Sequence, residues 1–484
     1  MRLFVLASLL IASLVFADPY QARTLEPAAA LSDSELLIRT LRAHHPGYLR
    51  YRTNEKALQA EAALRTVAEA DIDDASYFIE VCRYLAEVRC EHTEAELPEP
   101  LAEWRSRNPT MLPLRFEWVE SRAIVTASAS EQVRVGDELL SVNGIMMLDL
   151  YRALVPLLSV DGFTDHTKRT LYGGRDDIGL TVFDVFFPLL FGFGESFAAE
   201  VVRRDGARVA VEIAAITEVD AQRLQGLEKT YRDFSDEDNV VWKILDKGTA
   251  YLSVETFVNY RRPVEPDSIY GPAFAAINAS GADRLIVDLR RCGGGSDDAA
   301  HRLLAHLISE PIEIGGPVRV KNYAFDDDIR PHLSTWNEQI FNLPAALFEP
   351  DGDLYLADPA VAGGRKTIQP APAAWRGDLV VLAGHSNASG ATNLLAQLRE
   401  QRELLVVGEP TGGSAEGCTA GQIVFLTLPN SKITVRVPLL YARNNTTDFE
   451  PGMGVTPDVL IEPTVEALRN GQDVTLERAI KVGR

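Results

Sequence analysis

The stretch Val380-Val381-Leu382-Ala383-Gly384-His385-Ser386-Asn387-Ala388-Ser389-Gly390-Ala391-Thr392-Asn393-Leu394-Leu395 decides how this chain folds. Its apolar start reads as a strand buried on both faces, and the small-residue turn leads into an amphipathic helix predicted over Gly390 to Gln401. A serine at the head of a helix sits among N–H groups that no helical carbonyl accepts, at the positive end of the dipole. Ser389 can therefore be a nucleophile whose oxyanion those groups stabilise, or it can cap the helix. The segment alone leaves both readings open.

Outward from this turn, strands and helices alternate. A strand over Arg284 to Arg290 precedes Cys292-Gly293-Gly294-Gly295, a helix is predicted from Asp297 to Glu310, and a strand runs from Leu404 to Gly408. Such alternation of buried strands with helices means an α/β core, assigned to residues 237–465. Three consecutive glycines let backbone approach a ligand and turn N–H groups inward, which suits the second half of an oxyanion hole. Phosphate binding ranks low, because neither the Walker pattern nor G-x-G-x-x-G is present. Strands at Gln422 to Leu428 and Lys432 to Leu440 flank Pro429-Asn430-Ser431 as a hairpin, and residues 466–484 read as one C-terminal helix.

Before the core, Met1 and Arg2, the apolar run Leu3 to Phe16 and the Val15-Phe16-Ala17 ending predict a signal peptide over residues 1–17. The chain is then expected to be exported, periplasmic or secreted. The alternative, an N-terminal anchor, is disfavoured because the run is short for a bilayer. Residues 18–100 show helical periodicity, closed by a proline-rich break at Leu97-Pro98-Glu99-Pro100. Residues 110–220 switch to short strands, with turns at Asn143-Gly144 and Asp205-Gly206. Within them, Val135-Gly136-Asp137-Glu138-Leu139-Leu140-Ser141-Val142-Asn143-Gly144 resembles the core signature of a PDZ domain. That resemblance implies a groove that captures an extended peptide as an added strand, or a PDZ-like spacer with a closed groove. The Gly- and Phe-rich insertion between 158 and 195 departs from a minimal PDZ.

The net charge of -21 over 484 residues excludes nucleic acid and anionic membrane surfaces as natural partners. Cys82, Cys90, Cys292 and Cys418 are too few for a disulfide scaffold and match no zinc spacing; a Cys292–Cys418 bridge is the one pairing expected. His301 and His306 lie five apart, wrong for a metal pair on one helix face, and no spacing identifies a metal or other cofactor.

Four ordered motifs resemble those of the S41 serine peptidases, the C-terminal-processing (tail-specific) and tricorn-core type, over Gly248 to Pro463. The D-L-R-x-N-x-G-G element appears as Asp288-Leu289-Arg290-Arg291-Cys292-Gly293-Gly294-Gly295, with Cys292 in place of Asn. The nucleophile turn appears as Asn387-Ala388-Ser389-Gly390-Ala391-Thr392. Val407-Gly408-Glu409-Pro410-Thr411-Gly412-Gly413 and Gly454-Val455-Thr456-Pro457-Asp458-Val459 match the V-G-x-x-T-x-G and G-V-x-P-D-V signatures. The resemblance implies an α/β, ClpP/crotonase-like β-β-α core with a helical N-terminal domain and a PDZ-like domain. It also implies hydrolysis of peptide or unfolded-protein substrates through a Ser389 acyl-enzyme.

One departure bears on mechanism. The lysine that serves as base in the processing branch would fall at Ser414, and no lysine lies nearby. The tricorn branch uses a His from ahead of the core and a Glu near the closing motif. Here Cys90-Glu91-His92-Thr93 and Phe449-Glu450-Pro451 resemble those elements, implying His92 as base and Glu450 as the group that orients or charge-stabilises the site. The oxyanion would rest on the N–H of Gly390 and of Gly293 or Gly294. His385 competes with His92, and His44-His45-Pro46-Gly47 resembles an H-P-G element of some relatives with a structural or substrate-side role. Two other readings of the same fold are an inactive carrier of a peptide or lipophilic ligand, favoured by the absent lysine and by Cys292, and an esterase using the same residues.

Overall fold

A computed structural model describes residues 20–168, 181–224, 232–246 and 248–482. The expected signal peptide lies outside the described residues except for its surroundings beyond residue 19. No helix among the described residues is long and apolar enough to cross a membrane.

The core is a six-stranded sheet in the order Val240–Ile244, Thr249–Val254, Arg284–Asp288, Asp378–Ala383, Leu405–Gly408, Val459–Leu460. The first pair is antiparallel and the others are parallel. The central strands Arg284–Asp288 and Asp378–Ala383 carry runs of Leu, Ile and Val because both faces are covered. On one face Leu285, Val287, Leu379 and Val381 pack with the helices Asp267–Ala279, Asp297–Leu307 and Ser389–Gln401. On the other, Ile286, Val380, Leu382 and Val407 meet Ala479. The tail is two helices, Val465–Asn470 and Val474–Lys481, where one was expected. The break is Gly471, whose left-handed φ of 63° ends the first helix.

The hairpin Thr419–Thr427/Thr434–Ala442 leaves this sheet for a second one, antiparallel, with Leu333–Ser334 on one side and Val318–Val320, Leu354–Ala357 and Phe348–Asp351 on the other. Its Val424, Leu426, Val435 and Val437 share one apolar core with the helices Pro27–His44 and Asp74–Ala86. A third sheet, Leu114–Val119, Arg122–Ser128, Glu138–Val142, Ser196–Val202 and Arg208–Ala214, packs into that same core. Its Asn143-Gly144 turn has positive φ at both residues, the geometry a tight hairpin demands. The elements that position the site thus come from three layers.

Candidate active site

Ser389 is the first residue of its helix, and its φ is +45°, a left-handed conformation that costs a residue with a Cβ about 1–3 kcal/mol. Ala388 occupies the cap position, and no side chain caps the helix there. Ser389 is only partly buried, and among the described residues its hydroxyl has no hydrogen-bond partner. The helix-cap reading therefore fails. Strain at a partly exposed serine between strand and helix is the geometry of a nucleophile elbow.

Asn387 explains how the elbow is held. Its Oδ1 accepts the Gly384 N–H at 2.9 Å, and its Nδ2 donates to the carbonyls of Leu289 and Cys292. Its own carbonyl takes the N–H groups of both Gly412 and Gly413 at 2.8 Å. One side chain and its backbone thus fasten the serine turn to the glycine loop and to the T-x-G segment.

The glycine loop lies directly against the serine. A Cβ placed on Gly294 would sit 2.8 Å from the Gly390 nitrogen and 3.0 Å from Ser389 Cβ, and Gly294 has φ +106°. The Gly294 N–H is turned to Cys292 Sγ, holding the thiol below where burial alone would put it. The Gly293 N–H, by contrast, has no backbone acceptor among the described residues. Gly390, second in its helix, has no intrahelical acceptor either. Of the two glycines considered for the oxyanion, Gly293 is the one with an available donor.

His92 lies in the turn after the helix Asp74–Ala86, on a loop pinned from several sides. Ala95–Glu96 pairs with Thr434–Val435, and the Arg436 N–H donates to the Glu94 carbonyl at 2.9 Å. The Thr93 carbonyl accepts from Ser159 Oγ at 2.9 Å, and Thr93 Oγ1 lies 2.8 Å from His45 Nε2. His45 is buried and held to about pKa 3 by desolvation, so it is a neutral brace. That gives the H-P-G element its role. The His92 side chain is 18% exposed, and its Nδ1 is buried, 3.8 Å from the Glu91 carboxylate and without a hydrogen-bond partner among the described residues. Burial lowers its pKa, Asp161 opposes that, and Arg436 adds to it.

Asp161 was not legible as a site residue. It lies in the 158–195 insertion, is 2% exposed, and brings a carboxylate oxygen within 4.8 Å of both a His92 nitrogen and Cys90 Sγ. Its Oδ1 accepts the Glu91 N–H at 3.3 Å, and the Ser414 N–H also stabilises it, while burial pushes its pKa up. Ser414 follows Gly413, where an added Cβ would meet Ala388 Cα at 3.2 Å. Gly413 and Ser414 thus touch the serine turn through Ala388 and the His92 loop's neighbour Asp161 through the Ser414 N–H. Ser414 itself is buried, and its hydroxyl accepts from Tyr51 at 3.3 Å.

Glu450 is exposed, and its carboxylate makes no contact with His92 or Ser389 among the described hydrogen bonds; its carbonyl accepts from the Met453 N–H. Its bend is tied inward at Gly452, whose N–H donates to Glu416, a residue also bonded to Tyr51 and paired with Arg50. His385 Nδ1 is 2.9 Å from Glu409, and His44 stacks on Phe325. The expected Cys292–Cys418 bridge does not form: all four cysteines are free. Cys292 is turned into the core beside Tyr270, whereas Cys418 faces Asn393.

The other two motifs prove architectural. Arg290 joins Asp288 at the strand end to Asp473, the cap of the last helix. Asp458 accepts the Val406 N–H at 2.7 Å, and Thr411 Oγ1 accepts that of Val455 at 2.8 Å.

A strained serine at a strand–helix elbow, faced by glycine backbone with free donors on a parallel α/β sheet, defines the class of serine hydrolases. Residues 248–461 match the family model "Peptidase family S41". That stretch, a little under half of the chain, is similar to peptidase family S41, a family of serine peptidases. No curated protein sequence matches it. Among solved structures, mature CPAF complexed with lactacystin is similar at 14% identity and TM-score 0.61, covering 94% of this chain and 97% of that one. A serine-to-alanine variant of CPAF gives 15% identity, TM-score 0.62 and the same coverage. At such identities the likeness is one of fold.

Proposed function

We propose that the chain hydrolyses peptide bonds of protein substrates through an acyl-enzyme on Ser389. His92 takes the hydroxyl proton as Oγ attacks the scissile carbonyl carbon, and the new oxyanion rests on the N–H groups of Gly390 and Gly293. His92 then returns the proton to the leaving amine, and a water, deprotonated the same way, frees the acyl group. With Nδ1 the buried nitrogen, Nε2 is the one that serves the serine, and Asp161 is the carboxylate that steadies the imidazolium. Glu450, on the exposed bend above, would act through another polar group.

The observation that carries this reading is the elbow: Ser389 is strained, caps no helix and has no hydroxyl partner among the described residues, with Gly294 against its Cβ. Around it we place export through a cleaved leader at residues 1–17 and delivery of an extended segment by the PDZ-like sheet. CPAF is held in complex with lactacystin, and the same compound is expected to compete for Ser389 here. Fluorophosphonate labelling of wild type and Ser389→Ala tests the nucleophile. Labelling that survives the substitution removes Ser389 from that role.

A further inference from the structure

Beside the serine turn the fold gathers three side chains of different chemistry that no sequence spacing brings together. Cys90 Sγ, a His92 nitrogen and an Asp161 oxygen all lie within 4.8 Å of one another. Two of the three carry a buried atom without a hydrogen-bond partner among the described residues: Asp161 Oδ2, and His92 Nδ1, which has only the Glu91 carboxylate 3.8 Å away. A carboxylate oxygen left unpaired in a residue 2% exposed is destabilising, which favours a partner in that space. Cys90 Sγ lies 3.4 Å from the Thr419 carbonyl and is approached by the Thr93 hydroxyl and the His92 N–H, donors a thiolate would also accept.

We propose that Cys90, His92 and Asp161 form a three-ligand site for a soft divalent cation of the zinc type, and that metal there switches off the base assigned to His92. This rests on the reading of His92 given above. Thiolate, imidazole and carboxylate are each zinc ligands, with bonds of roughly 2.0–2.3 Å that set tetrahedral donor separations near 3.5 Å. The three donors need close by little more than about 1 Å, a side-chain adjustment. One thiol proton leaves to solvent on binding. Thiolate and carboxylate together then neutralise the dication, which suits a site with Arg50 and Arg436 close by. The His92 side chain keeps 18% of its surface exposed, which leaves solvent access for a water as fourth ligand.

Either nitrogen of His92 gives the same consequence. If Nε2 ligates, its lone pair is used by the metal. If Nδ1 ligates, the neutral ring carries its proton on Nε2 and offers the serine a donor in place of an acceptor. Bound metal and proton abstraction from Ser389 are mutually exclusive.

The test uses the full chain and keeps metal binding apart from chemistry. Cobalt(II) added to Ser389→Ala protein is expected to give a thiolate-to-cobalt charge-transfer band that zinc(II) displaces at one equivalent. The band should vanish in the Cys90→Ala, Ser389→Ala double variant. Asp161→Asn in the same background should weaken zinc binding by about 100-fold or more and guards against misfolding of the cysteine variant. On wild type, saturating zinc should slow fluorophosphonate labelling about 100-fold, reversibly with a chelator. No band, or a band indifferent to Cys90, overturns the site. A Cys90-dependent band with an unaltered labelling rate overturns the coupling to His92. Failure of the nucleophile assignment would show separately, as labelling that persists in Ser389→Ala.

Discussion

Gly294→Ala should abolish most activity, with a cost that can be worked from the backbone. The new Cβ would lie 2.8 Å from the Gly390 nitrogen and 3.0 Å from both the Ala388 carbonyl oxygen and Ser389 Cβ. Two of these neighbours are backbone atoms that cannot rotate away. A φ of +106° adds strain of about 1–3 kcal/mol for a residue with a side chain. Relief requires the glycine loop and the elbow to part by several tenths of an ångström, which takes the Gly390 donor off the oxyanion. Losing one such donor costs about 10²–10³ in rate, or roughly 3–4 kcal/mol of transition-state stabilisation. Gly293→Ala is the matched control: its added Cβ would meet only the Ser386 carbonyl, at 4.0 Å, and its N–H survives. Fluorophosphonate labelling rates would be measured beside urea midpoints for both variants. Expected is a loss of at least about 100-fold for Gly294→Ala and under about tenfold for Gly293→Ala. Equal rates in two folded variants would refute the assignment of these glycines.

Asp161→Asn should cut kcat by about 100-fold or more and move the acid limb of kcat/KM to lower pH. The sign follows from charge: Asp161 holds the His92 pKa up against burial, so removing the carboxylate lets it fall further; a limb that rises would sink the pairing. Acid stability offers a second check. His44 and His45 are buried neutral at about pKa 4 and about 3, below the 6.5 of the free side chain. Their contribution is full above that value and lost as pH falls toward 3–4, up to roughly 3–5 kcal/mol each, so His45→Phe should flatten the decline in urea midpoint between about pH 6 and 4. Denatured, unreduced protein should titrate four thiols with Ellman's reagent, and two would reinstate a disulfide.

The part of the fold legible in the sequence is the part whose signals are local. Runs such as Val380 to Ala383 can only be buried strands, and the turn Asn387 to Gly390 marks its own helix start. Family motifs located the serine and the glycine loop, yet they did not say why those residues recur. Asp288, Arg290, Thr411 and Asp458 turn out to tie loops and strand ends together. Asp161 gave no signal because Val160-Asp161-Gly162 has no periodicity and its partner His92 comes from another layer. Cys292 misled for a related reason: proximity of its loop to the site says nothing about which way the thiol points, and it points into the core.

If His92 is the base as proposed, the absence of lysine at position 414 and the pinning of the His92 loop belong to one solution. A lysine base must shed its proton against an ordinary pKa near 10, whereas a buried imidazole already presents a lone pair at neutral pH. On the proposed mechanism the exchange has a geometric consequence: the base would ride not on the segment next to the serine but on the N-terminal layer. Its alignment then depends on contacts such as Thr93 Oγ1 to His45 Nε2 at 2.8 Å. Thr93→Val keeps the shape of the side chain and leaves a buried imidazole nitrogen unpaired, a loss of about 1–3 kcal/mol. If that contact only stabilises the fold, the labelling rate at 25 °C will scale with the folded fraction and no more. If it aims His92, the rate falls about tenfold or more in protein that is fully folded by circular dichroism, while the acid limb stays in place because the charges around the ring are unchanged. A rate that tracks the folded fraction alone would remove the loop from the mechanism.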